Sequence, residues 1–113
     1  MKILKEPVTI DELKAIAADM FGDLVKAVVD VSRGEIALDA ELHSDLEALL
    51  LEKGALQKDL WGINLYPEVP GDDFIEFDSM INVRPSQGNM GSGVGDGQLR
   101  KKIVEIVHIW IKR

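Results

Sequence analysis

The sequence predicts an α+β domain of two layers, with three helices and about four mostly antiparallel strands in the order α-ββ-α-ββ-α. Three observations predict it: apolar residues recur at helical spacing in three segments, they alternate with polar residues in others, and glycine, proline or acidic residues separate the segments. At 113 residues, 46% of them hydrophobic and 29% charged, the chain has the size and balance of one globular domain with one core. One domain is therefore expected over residues 1–113, with a flexible glycine-rich loop at about 85–97.

The first helix is marked by Thr9-Ile10-Asp11-Glu12, which reads as a capping box, and by Ile10, Leu13, Ile16, Ala17 and Met20 or Phe21 on one face, with Gly22 as its C-cap candidate. Residues 24–38 read as a β-hairpin. Val25, Ala27, Val29 and Val31 face one side, Lys26 and Asp30 the other, and Ser32-Arg33-Gly34 makes the turn. A second helix is expected from about Asp39, its cap, with Leu42, Leu46, Leu49 and Leu50 as its stripe and Gly54 at its end.

Leu60 to Tyr66 alternates again, and the Pro67 to Asp72 turn leads to a return strand. There Ile75, Phe77, Ile81 and Val83 face one side while Glu76, Asp78, Asn82 and Arg84 face the other, until Pro85 closes the strand. Residues 85–97 hold five glycines and little that can pack. The last helix runs from about Gln98, capped by Asp96 or Gly97, with Leu99, Ile103, Ile106, Val107 and Trp110 inward. All three helices are expected to cover the apolar face of one sheet.

Absence of cysteine excludes disulfides, thiolate nucleophiles and cysteine-based metal sites. Met1 to Val8 has no apolar signal region, and no apolar run approaches the roughly 18 residues of a membrane span, so a cytoplasmic protein with no membrane association is expected. The net charge of −7 argues against nucleic acid as a partner. Positive charge collects only near the C-terminus, in Arg100, Lys101, Lys102, Lys112 and Arg113, where the simplest reading is attraction to the acidic body.

The string Phe77-Asp78-Ser79-Met80-Ile81-Asn82-Val83-Arg84-Pro85-Ser86-Gln87-Gly88-Asn89, with Glu6 to Gly34 and Asp59 to Pro67, resembles a family of short prokaryotic proteins filed as a domain of unknown function. The resemblance covers nearly the whole chain, with Asn82 to Asn89 its most specific part, and Met90 to Gly97 departs from it. It implies no activity.

Two clusters can carry chemistry. Glu76, Asp78, Asn82 and Arg84, alternate along one strand, would stand about 6.5–7 Å apart. Arg84, Gln87 and Asn89 could add donors to the amides of a glycine-rich loop that meets an anion, although Asp96 at the helix cap would repel one. Those six side chains are the candidate ligand site. The plainer reading is a solvated sheet face and a mobile or interface loop. His43 and Glu47, four apart on a helix, supply two ligands at most, Ser79 lacks a nucleophile elbow, and no phosphate-binding fingerprint is present. No metal and no cofactor is expected.

The lack of a recognisable catalytic set favours a non-catalytic binding or interaction module, with a protein partner or a homodimer through the wide apolar arc of the C-terminal helix. The alternative is a small-ligand or anion-binding protein, or an enzyme, with its site at the strand end and loop from Asn82 to Asn89.

Overall fold

A computed structural model describes all of residues 1–113. The chain runs β1 (Lys2–Ile3), β2 (Val8–Thr9), α1 (Ile10–Ala18), β3 (Val25–Asp30), β4 (Glu35–Leu38), α2 (His43–Glu52), β5 (Leu60–Leu65), β6 (Ile75–Glu76), α3 (Gly97–Trp110) and β7 (Ile111–Lys112). Five strands form one antiparallel sheet in the order β1-β4-β3-β5-β6, and β2 pairs in parallel with β7. No helix is long and apolar enough to cross a membrane.

Local chemistry sets most boundaries. Thr9 Oγ1 accepts from the Glu12 amide at 3.1 Å while Glu12 reaches back to the Thr9 amide at 3.2 Å, which closes the expected capping box. Asp30 Oδ1 accepts from the Ser32 and Arg33 amides and builds the β3–β4 turn. Asp96 caps α3 through the Gln98 and Leu99 amides. At the end of α2 the Ala55 amide donates to the Leu50 carbonyl and the Gly54 amide to that of Leu51, a Schellman closure that needs the positive φ of 97° at Gly54.

The expected two layers give way to three. Val25, Ala27, Val29, Ile36, Leu38, Trp61, Ile63 and Leu65 meet Leu13 and Ala17 of α1 and Ile103, Ile106 and Val107 of α3 in the larger core. Val28, Ala37 and Leu60 point to the opposite face and pack on Leu46 and Leu50 of α2. A sheet covered on both sides needs apolar residues at both parities, which is why Val28 breaks the alternation of β3 and joins Ala27 and Val29 in an apolar run. Helix α2 also starts later than expected. Its N-cap is Leu42, which makes no side-chain cap, and Asp39 adopts φ 74° and pairs with the N-terminal amine at 3.7 Å.

The second hairpin departs further from expectation, because its return strand stops at Glu76. Residues Met80–Asn82 and Pro85–Gln87 form 3₁₀ turns instead. The edge of β5 beyond β6 is closed by side chains. The Asn82 carboxamide accepts from the Gly62 amide at 2.8 Å and donates to the Gly62 carbonyl at 2.9 Å, and the Arg84 guanidinium donates to the Leu60 carbonyl. An asparagine side chain offers the same donor and acceptor as a peptide unit, so it pairs where a strand residue would. Gly62 permits this, since a Cβ there would lie 2.5 Å from Ser79 Cβ.

Candidate functional site

The fold divides the six candidate residues: Asn82, Arg84, Gln87 and Asn89 are linked by hydrogen bonds, while Glu76 and Asp78 stand at Asn64. Asn82 is fully buried, and its second donor contact goes to the Ser92 carbonyl at 3.0 Å. Arg84, also buried, donates to the carbonyls of Ile81 and Gln57 at 2.9 and 2.8 Å, stacks on the Trp61 ring at 4.4 Å and lies 4.0 Å from Glu47. Burial pushes the Arg84 guanidinium below its ordinary pKa, and Glu47 opposes that shift. Gln87 donates to the Lys58 carbonyl, and its Oε1 accepts from Arg84. Neither Asn82 nor Arg84 belongs to an outward strand face, because the chain turns inward after Asp78.

Asn89 organises the glycine-rich segment. Its Nδ2 faces the carbonyls of Asn82, Gly91 and Gly93 at 2.7, 3.2 and 2.8 Å, while its Oδ1 accepts from the Gly95 amide at 3.0 Å. The segment wraps one carboxamide, and Val94 enters the core. Close approach accounts for one glycine: a Cβ on Gly93 would stand 3.3 Å from the Phe77 carbonyl.

Asp78 instead lines a cleft of about 390 Å³ with Lys26, Leu42, His43, Ser44, Asn64, Ser79, Met80 and Ile81, on the α2 face of the sheet beside the start of that helix. His43 Nε2 lies 2.8 Å from the Ile63 carbonyl. A carbonyl only accepts, so Nε2 carries the proton and the neutral ring keeps its lone pair on Nδ1. Burial lowers the His43 pKa below its ordinary 6.5; the Ile63 carbonyl and Asp78 raise it, and Lys26 adds to the lowering.

Asn64 is 7% exposed, and its Nδ2 donates to Glu76 Oε1 at 2.9 Å and to the Asp78 carbonyl at 3.2 Å. Its Oδ1 is buried without a partner. Tyr66 also donates to Glu76 Oε1, and burial followed by this bond raises the Tyr66 pKa. Glu76 thus stands behind Asn64. Ser79 Oγ is taken as an acceptor by the Ile81 amide at 3.3 Å. The rim is mixed: Leu42 is 54% and Met80 78% exposed, and the exposed Ser44 and Asp78 stand beside them.

This cleft can hold an apolar group between Leu42 and Met80, beside the polar side chains of His43, Asn64 and Asp78. His43 and Glu47 do not act together, since one turns to Ile63 and the other to Arg84. Sequence reasoning did not single out Asn64 or Leu42: the alternation of β5 already sets Gly62 and Asn64 on one face, and the unread signals were the polar Asn64 on that face and the leucine at a helix start. The arc of α3 is used inside the molecule, where Ile103, Ile106, Val107 and Ile111 are buried, and Ile109 is its exposed large apolar residue.

Over residues 2–110 the chain matches a family described as protein of unknown function (DUF5674). No curated protein and no solved structure matches it.

Proposed function

The chain belongs to this family of unknown function, and we propose that it is a non-catalytic binding module that receives a protein partner at the cleft beside α2. One observation carries the reading: two well-exposed apolar side chains, Leu42 and Met80, flank a floor where Asn64 Oδ1 is buried without a donor. Exposed apolar anchors beside polar groups are what a docking polypeptide segment needs. Leu42 strengthens the reading, because an N-cap leucine satisfies no orphan amide and is a poor choice for stability alone.

In the same reading Asn82, Arg84, Gln87 and Asn89 hold the β5 edge and the glycine-rich segment, since carbonyls and amides of the chain already engage them. Asp78 lies at the cleft and Glu76 supports Asn64. The partner is another protein or a second copy of the chain, met in the cytoplasm.

A photo-crosslinking residue at position 80 tests this in cells of the source organism. A discrete adduct is expected from position 80, absent from position 102 and lost on Leu42→Ser. No adduct, together with a monomer by light scattering, or equal adducts from both positions, would overturn the proposal.

A further inference from the structure

The five cations near the C-terminus do not pair with the acidic body. The four ion pairs of the molecule are Met1–Asp39, Lys14–Glu68, Arg33–Glu35 and Arg84–Glu47, and none involves Arg100, Lys101, Lys102, Lys112 or Arg113. In a chain with 20 acidic residues against 13 basic ones, unpaired cations gathered in one place need a reason. Three of them, Arg100, Lys101 and Arg113, line a single cleft of about 350 Å³ with His108. Its other walls are Ile75, Phe77, Val104, Gly71 and the one acidic residue Asp72.

Two of the cations are held in place. Arg113 donates to the Val69 carbonyl at 2.8 Å with its guanidinium 4.3 Å from the Phe74 ring centre, and Arg100 Nη1 donates to the Val94 carbonyl at 2.5 Å. Each guanidinium has five N–H groups, so donors remain for a ligand. Lys101 and His108 are exposed, and they flank Val104 along one side of α3, three residues before it and four after it. Preset arginines beside an apolar wall suit a bidentate anionic group attached to an apolar body.

The geometry points to a binding site for a small organic anion, a phosphate or carboxylate carried on an apolar ring, between α3 and residues 71–77. It is separate from the α2 cleft and stands whether or not that cleft binds a partner.

The test is an NMR titration of the full chain in 150 mM NaCl with phenyl phosphate, benzoate, inorganic phosphate and phenol. Saturable shifts at Lys101, Val104, His108 and Phe77 are expected with phenyl phosphate or benzoate, whichever headgroup fits, at least tenfold tighter than with inorganic phosphate or phenol. The exposed pair Lys101→Gln and His108→Gln should weaken binding at least tenfold, while Lys102→Gln, on the same helix but outside the cleft, should leave it unchanged. Shifts that never saturate, equal weakening by Lys102→Gln, or binding of a short DNA duplex with no response to the ring-bearing anions would overturn the assignment.

Discussion

Asn82 shows how much of this fold rests on single side chains. Its carboxamide serves the Gly62 amide, the Gly62 carbonyl and the Ser92 carbonyl from a fully buried position. Asn82→Ala leaves those groups without water or partner, and about 3 kcal/mol of stability should be lost, read as a lowered midpoint in urea unfolding. A loss below about 1 kcal/mol would mean that the edge of β5 finds other partners. Periodicity could not reveal this role. Asn82 and Arg84 obey the two-residue alternation of a wet strand face, and only the actual turn at Ser79 points them inward. Asp78, from the same alternation, does reach a cleft.

Among the elements, α2 begins without a side-chain cap because Leu42 occupies the N-cap in an extended conformation, φ −123° and ψ 134°. A serine fits that backbone and its hydroxyl can take an amide of the first turn, so Leu42→Ser should stabilise the protein by about 0.5–1 kcal/mol. Thermal unfolding checks the sign, and a lowered midpoint would show Leu42 to be needed inside the fold. The starts of the helices with capping residues, α1 at Thr9 and α3 at Asp96, were legible in the sequence to within a residue or two, as were the alternating runs of β3 and β5, whereas α1 ends at Ala18, short of the stripe expected to reach Met20 or Phe21. Helix α2 starts three or four residues later than the sequence suggests, because Asp39 looks like a cap and Leu42 does not. The two-residue strands β1, β2 and β7 are too short to carry a period, and only long-range pairing reveals them.

On the scale of the whole molecule, both faces of the sheet are covered, and the second core is where His43 lies against β5. Its signal was present in Val28, Ala37 and Leu60, apolar residues of the parity otherwise read as outward. The buried, lowered-pKa imidazole couples that core to pH. With its folded pKa below the ordinary 6.5, the unfolded chain binds the proton more readily, so His43 contributes stability above about pH 6.5 that falls away as pH drops. Wild type should therefore lose more urea resistance than His43→Gln between pH 7.5 and 5. Parallel curves would show that the ring does not titrate with unfolding.

The parallel pairing of Val8 with Ile111 and Thr9 with Lys112 has a consequence for biosynthesis. At about 5–20 residues per second, Val8 is translated roughly 5–20 seconds before its mate exists. A nascent chain can gather β3, β4 and α2 during that interval, but the seam between its two ends closes only after translation has passed residue 112.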